Sequence, residues 1–125
     1  MSVARATVVF YVADVPKSQA FYTALFGQPP VHTSSEFALY MLNESLSLGI
    51  WQQAAVIPPL TITQGTPGEL CLYADDQLAF QAQYQHCLAL AVPLLQPPTA
   101  MDFATAFTIA DPDGYRIRYA VTAAK

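Results

Sequence analysis

Histidine and cysteine are the side chains of this sequence best suited to catalysis, and their spacing matches no known motif. The two histidines, His32 and His86, lie far apart, and isolated histidines are most often surface or hydrogen-bonded residues rather than metal ligands. Cys71 could act as a nucleophile with His86 as its base, but no activating neighbour supports this pair. Cys71 and Cys87 are therefore interpreted as free, buried thiols. With five glycines in the chain, no phosphate-binding loop is present either.

The composition predicts a compact protein with a large apolar interior. Of its 125 residues, 54% are hydrophobic and 11% are charged, which excludes a disordered chain and suits one domain or two small modules. No apolar run approaches the roughly 18 residues of a membrane span, and we identify no signal peptide. Five Lys and Arg against nine Asp and Glu argue against a nucleic-acid partner. We expect a soluble, cytoplasmic protein that binds neither membranes nor nucleic acid.

The first half of the chain predicts a strand, a helix and a hairpin. Val8–Val12 is rich in β-branched and aromatic residues, which favour a strand. Asp14 is a typical helix N-cap, and Gly27 is a typical helix end. Two further strand-like runs, Phe37–Leu42 and Leu46–Trp51, flank a short polar turn and predict a hairpin.

The second half predicts the same order of elements after a connector. Asp75 or Asp76 is expected to cap the second helix. The other predicted segments are the strand Leu70–Tyr73, an interruption of secondary structure at Gln96-Pro97-Pro98, the strand Phe103–Ile109, the turn Asp111–Gly114 and the strand Tyr115–Val121.

Short sequence motifs recur in the two halves of the chain in the same order. Tyr11–Asp14 (YVAD) corresponds to Tyr73–Asp75 (YAD), and a Gln-Pro-Pro triplet occurs in both halves, about half a chain length apart. This common order indicates an internal duplication. We therefore predict one domain, 1–125, built of two βαβββ modules at about 1–53 and 67–125, with a connector at 54–66.

Two segments resemble the vicinal oxygen chelate superfamily, which includes glyoxalase I, extradiol dioxygenases and bleomycin-resistance proteins. Asp14–Gly27 (DVPKSQAFYTALFG) resembles its first-helix signature, and Asp111–Tyr115 (DPDGY) resembles its closing hairpin. The resemblance implies an α+β fold of two tandem βαβββ modules whose sheets curl around a cleft, often completed by a second subunit. Because the low charge also leaves little polar surface for a monomer, we expect a homodimer.

Catalytic members of this superfamily hold a divalent metal with side chains on the first and last strand of each module. The matching positions here are Thr7, Ser47, Glu69 and Arg118. Only Glu69 is a plausible ligand, and a cation at the position of Arg118 would repel a metal ion. We therefore expect no metal and no cofactor, and the enzyme question stays open, leaning towards no enzyme.

Strand alternation predicts which other side chains share a face with these four positions. They are the aromatic residues Tyr11, Trp51 and Tyr73 together with small residues such as Gly49, whereas the opposite faces are apolar. Aromatic faces with room between them suit a flat organic ligand. Trp51 could instead plug the cleft or pack in a dimer interface, and Arg118 could pair with a ligand carboxylate or with Glu69.

The resemblance is greatest to the phenazine- and bleomycin-resistance branch of the superfamily, where an aromatic strand such as Phe37–Tyr40 and a tryptophan line the site. We predict a non-catalytic protein that sequesters a planar aromatic antibiotic or metabolite. The predicted ligand-binding residues are Trp51, Tyr40, Tyr11, Tyr73, Ser47, Glu69 and Arg118. The alternatives are a metal-dependent glyoxalase, lyase or dioxygenase whose ligands align differently or come from the partner chain, and an oligomeric or regulatory module. The identity and charge of the ligand, and any domain swapping in the dimer, stay open.

Overall fold

The computed structural model describes residues 3–57, 59, 68–101 and 104–122. The chain divides into two compact units, Met1–Gln64 and Gly65–Lys125, which we call the first and second modules. In its described residues each module contains one α-helix and one four-stranded sheet. Both modules follow the order βαβββ. The predicted α+β fold of two tandem modules is confirmed.

The first module contains β1 (Ala6–Val12), α1 (Val15–Phe26), β2 (His32–Thr33), β3 (Phe37–Met41) and β4 (Leu46–Gln52). Its strand order is β1-β4-β3-β2, with β1 parallel to β4 and the other pairs antiparallel. The predicted strand, helix and hairpin are all present. The short strand β2 is the further strand that the predicted βαβββ order requires, and no segment of the sequence was assigned to it.

Both ends of α1 follow the predicted capping chemistry. The Asp14 carboxylate accepts a hydrogen bond from the Lys17 backbone N–H at 3.1 Å, which satisfies a donor that the helix leaves unpaired. At the other end Gly27 adopts a left-handed conformation with φ 69°, and its N–H donates to the Thr23 carbonyl. These local bonds set the length of the helix that covers one face of the sheet.

The second module contains β5 (Glu69–Tyr73), α2 (Gln77–Leu90), β6 (Leu94–Ala100), β7 (Thr105–Ala110) and β8 (Arg116–Val121). Its strand order, β5-β8-β7-β6, corresponds to that of the first module. Asp76 rather than Asp75 caps α2, because its carboxylate accepts from the Ala79 N–H at 2.8 Å.

The segment Gln96-Pro97-Pro98 is part of strand β6, so the predicted interruption of secondary structure there is wrong. Proline cannot donate a hydrogen bond to a neighbouring strand, and it is tolerated where a strand lies at a sheet edge. β6 is an edge strand, and its pairing with β7 shifts register on both sides of Gln96. The predicted next strand began at Phe103, which lies outside the described residues; β7 begins at Thr105.

The predicted turn before the last strand is confirmed. The buried Asp111 carboxylate accepts hydrogen bonds from the backbone N–H groups of Asp113 and Tyr115, at 2.9 and 2.8 Å. Gly114 adopts φ 88° and its N–H donates to the Asp111 carbonyl. Only a residue without Cβ adopts this conformation without strain. The turn fixes where β8 begins and therefore which of its residues face each side of the sheet.

One face of each sheet is buried and apolar, as strand alternation predicts. In the first module this face includes Phe10, Val12, Leu48 and Ile50, and in the second it includes Leu70, Phe107, Ile109 and Ile117. Each helix contributes buried residues to its own module, Tyr22 and Leu25 from α1 and Phe80 and Cys87 from α2. Among the described residues, neither helix has the length and hydropathy to cross a membrane.

Candidate functional site

Three aromatic rings form a row across the first sheet, on the face opposite α1. The register pairs Tyr11 of β1 with Trp51 of β4, and Trp51 with Phe37 of β3. The Tyr11 and Trp51 ring centroids are 6.4 Å apart at 67°, and those of Phe37 and Trp51 are 6.2 Å apart at 87°. Both contacts have the edge-to-face geometry that aromatic pairs favour. We call this row the aromatic face.

The aromatic face is apolar but only partly covered. Tyr11 and its neighbour Val9 are each 39% exposed, and Trp51 and Phe37 are of intermediate burial. Such a partly covered row of rings offers flat apolar surface and ring edges to a second aromatic group.

Gly49 lies beside this row, and the ring of Phe37 fills the space above it. A Cβ built at Gly49 would lie 2.9 Å from Phe37 Cζ and 3.5 Å from Val9 Cγ2. The sequence suggested that a glycine here leaves room for a ligand. In the structure that room is occupied by Phe37, so a ligand would contact the phenyl ring instead of the strand.

Tyr40, predicted to line the site, lies on the opposite face of β3 from Phe37. It is 1% exposed, its hydroxyl donates to the Gln19 carbonyl at 3.0 Å, and it accepts from the Thr23 hydroxyl at 2.7 Å. Burial raises the pKa of Tyr40. Its ring packs with Tyr22 and Phe26 of α1. Tyr40 therefore belongs to the packing between α1 and the sheet and is not part of the aromatic face.

Phe37 is the functional candidate that sequence reasoning missed as an individual residue. The sequence indicates it only as part of the aromatic strand Phe37–Tyr40, of which Tyr40 is the predicted ligand-binding residue. The signal that separates them is the two-residue period of a strand: Phe37 and Tyr40 are three positions apart and must point to opposite sides. Which of them faces α1 depends on the pairing of β3 with β4, which the sequence pattern did not specify.

Thr7 and Ser47, two of the four positions that match the superfamily's metal ligands, bind each other. They are opposite one another in the β1–β4 pair, and their hydroxyl oxygens are 2.7 Å apart. Ser47 is 2% exposed. Neutral hydroxyls that are engaged with each other are weak donors to a divalent metal.

Glu69 and Arg118, the other two positions, form an ion pair on the sheet of the second module. Arg118 Nε donates to Glu69 Oε2 at 2.9 Å and Nη2 donates to Oε1 at 3.3 Å, so both carboxylate oxygens are engaged. Of the two roles that the sequence left open for Arg118, the structure shows the pair with Glu69. These hydrogen bonds hold the pKa of Glu69 below its usual value of 4.5 and raise the pKa of Arg118.

Arg118 is further held by the side chains of β6 and β7. Gln96 Oε1 accepts from Arg118 Nη1 at 3.0 Å and from the Thr108 hydroxyl at 3.0 Å. Thr108 is 1% exposed, whereas the Arg118 and Glu69 side chains are 15% and 39% exposed. Tyr73 lies at the end of β5, on the same face as Glu69, and is 57% exposed.

The four positions do not fit a divalent metal. Two are hydroxyls bonded to each other, and the only carboxylate among them is neutralised by a cation at the fourth. In the part of the chain that the structure describes, no group of three or more His, Cys, Asp and Glu side chains could hold a metal ion. The donor chemistry of these residues therefore differs from that of the metal-dependent members of the superfamily.

Comparison with known proteins assigns the chain to a family. The family model described as the glyoxalase/bleomycin resistance protein/dioxygenase superfamily matches residues 5–119. The chain belongs to this superfamily. The curated proteins contain no match to the chain.

Solved structures share the fold of this superfamily member over nearly its whole length. A solution NMR structure of a protein from Agrobacterium tumefaciens is 33% identical, with a TM-score of 0.80 over 98% of this chain and 100% of the other. A lactoylglutathione lyase from the same organism is 20% identical, with a TM-score of 0.77 over 96% and 94%. A glyoxalase/bleomycin resistance protein from Catenulispora acidiphila is 20% identical, with a TM-score of 0.74 over 98% and 100%. At 20% identity, the last two likenesses concern the fold alone.

Proposed function

We propose that this protein binds a planar aromatic antibiotic or metabolite at the aromatic face and sequesters it without chemical change. The observation that carries the proposal is the row of Tyr11, Trp51 and Phe37 across three strands, with ring centroids 6.4 and 6.2 Å apart. A flat ligand can stack on one of these rings while it contacts the edges of its neighbours. Each good aromatic contact contributes about 0.5–1.5 kcal/mol beyond apolar burial.

Apolar burial supplies most of the binding free energy in this proposal. A fused-ring ligand that loses about 200 Å² of apolar surface to the aromatic face gains roughly 5 kcal/mol, at about 25 cal/mol per Å². Part of that gain is offset by the translational and rotational freedom lost on binding. Micromolar affinity therefore requires both burial and favourable ring contacts.

The chemistry of Thr7, Ser47, Glu69 and Arg118 supports binding rather than metal-dependent turnover. Catalysis in metal-dependent members depends on donors that converge on an ion, and here these positions hold a hydroxyl pair and an ion pair. Membership in a superfamily that contains both enzymes and resistance proteins is compatible with this proposal.

We further propose that the protein acts in the cytoplasm as a homodimer. Low charge, at 11% of the residues, and exposed apolar side chains such as Val31 and Leu95 favour association of two copies. Sedimentation velocity at micromolar concentration tests this, because a stable monomer would contradict it.

The proposed function is tested by titration of chelator-treated protein with planar aromatic compounds, including phenazines and bleomycin-type drugs. Trp51 is the only tryptophan, so its emission reports on the aromatic face alone. We expect saturable quenching at one ligand per chain, with the ligand recovered unchanged. Absence of a response to the whole set would contradict the proposal. Stoichiometric nickel, zinc, manganese or iron in protein purified without chelator would instead favour the metal-dependent alternative.

A further inference from the structure

The exposed face of the β5–β8 pair carries an excess of positive charge in a protein of net charge −4. Two of the five Lys and Arg residues, Arg116 and Arg118, occupy β8 two positions apart, and strand alternation places them on one face. Glu69 on β5 is opposite Arg116 in the register and bonds to Arg118. Two guanidinium groups and one carboxylate therefore lie on this face, and the carboxylate bonds to one of the two, Arg118.

Both oxygens of the Glu69 carboxylate are bonded to Arg118, so Arg116 is the exposed cation of this face. Both Glu69 oxygens accept from Arg118, at 2.9 and 3.3 Å. The Arg116 side chain is exposed, and its charge contributes to the lowered pKa of Glu69. An incoming anion would therefore meet a guanidinium fork that is open to solvent, with a second cation beside it.

Arg118 is held in place before any ligand arrives. Its Nε and Nη2 atoms bond Glu69, and Nη1 bonds Gln96, whose oxygen is itself fixed by the buried Thr108 hydroxyl. A side chain restrained in this way loses little conformational freedom when an anion binds. Nη1 also contacts Met101 Sδ at 3.8 Å, and one N–H of Nη2 is engaged with Glu69. The second N–H of Nη2 has no partner among the described residues, which leaves one donor of Arg118 for a ligand oxygen.

We propose that Arg116 and Arg118 form a binding site for a carboxylate or phosphate group of a small molecule. Arg116 supplies the fork that binds an oxyanion through two N–H groups, and Arg118 supplies fixed charge and one further donor. Glu69 weakens the site by partly neutralising it and at the same time orients Arg118. The site uses none of the residues of the aromatic face, so it does not depend on the function proposed above.

The test is an NMR titration of the full chain with inorganic phosphate and, separately, acetate at constant ionic strength. The arginine Nε–Hε signals are followed, and the Trp51 indole N–H serves as the internal reference. We expect saturable shifts of the Arg116 and Arg118 signals. The anion that binds more tightly identifies the ligand group as a phosphate or a carboxylate. If neither anion moves these signals saturably, the proposal is overturned.

Two variants and a matched control make the test specific. Arg116→Gln should weaken anion binding at least about fivefold, whereas Arg5→Gln, which removes the same charge from the first module, should change it less than about twofold. Glu69→Gln should strengthen binding about threefold or more, because the amide oxygen can still accept a hydrogen bond from Arg118 and hold it in place while the competing negative charge is removed. Equal effects of Arg116→Gln and Arg5→Gln, or weaker binding by Glu69→Gln, would each refute the site.

The outcomes separate this site from the stacking function. If an aromatic ligand quenches Trp51 but phosphate and acetate cause no saturable arginine shifts, the stacking proposal stands and the anion site is refuted. If phosphate or acetate shifts the arginine signals but no aromatic compound quenches Trp51, the anion site stands and the stacking proposal is refuted.

Discussion

Replacement of Gly49 by alanine tests the packing of the aromatic face. The new Cβ would lie 2.9 Å from Phe37 Cζ and 3.1 Å from Cε1, whereas ordinary contacts begin at 3.4 Å. The tip of the phenyl ring must therefore retreat by about 0.5 Å. Its movement changes the edge-to-face contact with Trp51, so the variant should alter both stability and Trp51 emission.

The expected change in the free energy of unfolding of Gly49→Ala is the difference between two opposing effects. Overpacking of this kind destabilises by about 1–3 kcal/mol, and the lower entropy of alanine in the unfolded chain offsets about 0.4–1 kcal/mol. The difference spans about 0–2.6 kcal/mol, and we expect Gly49→Ala to lower the free energy of unfolding by about 1 kcal/mol, near the middle of that range, in urea titrations. Gly68→Ala is the matched control, because a Cβ there has no atom within 4 Å among the described residues and should not destabilise.

A double-mutant cycle isolates the contact with Phe37. In a Phe37→Leu background the ring tip is absent, so Gly49→Ala should cost at least about 0.5 kcal/mol less than in the native chain. If Gly49→Ala costs no more than Gly68→Ala, or costs the same with and without the ring, Phe37 does not occupy the space above Gly49 and our description of the aromatic face fails.

Three further changes have defined outcomes. Trp51→Ala should weaken aromatic-ligand binding by more than about 1 kcal/mol in calorimetry, whereas Tyr40→Phe, on the opposite face, should leave affinity unchanged. The Glu69 carboxylate, with its lowered pKa, stabilises the fold above pH 4.5 and loses that effect as the pH falls through its folded-state pKa. Glu69→Gln should thus cost under about 1 kcal/mol at pH 7 in urea unfolding, and less at pH 3. Asp111→Ala should lower stability by about 2–3 kcal/mol in the same assay, because two backbone N–H groups lose their acceptor; an unchanged midpoint would contradict this role.

The caps and the turn could be predicted from the sequence because their physical causes are local. An aspartate before a helix bonds a backbone N–H three residues later, as Asp14 and Asp76 do. The turn beginning at Asp111 depends on bonds within five residues and on Gly114. The duplication was also readable, because each half repeats the same order of local signals.

Other features depend on which strands become neighbours. Pro97 and Pro98 are compatible with a strand only because β6 lies at the sheet edge, and strand order is a property of the whole module. A local rule correctly identifies proline as a strand breaker but cannot place the strand in the sheet. The strand at His32 could not be predicted for the same reason, because its two residues form a strand only by pairing with β3, where His32 is opposite Leu39.

For the candidate site, the sequence by itself determined the residue types and their two-residue periodicity. It placed Tyr11 and Trp51 on one face and identified the poor metal donors at Thr7, Ser47 and Arg118. Only the tertiary structure decided that Phe37, not Tyr40, joins Trp51, and that Arg118 binds Glu69. The reason is physical: alternation is a property of one strand, whereas register and side-chain partners arise from pairing between residues distant in the chain.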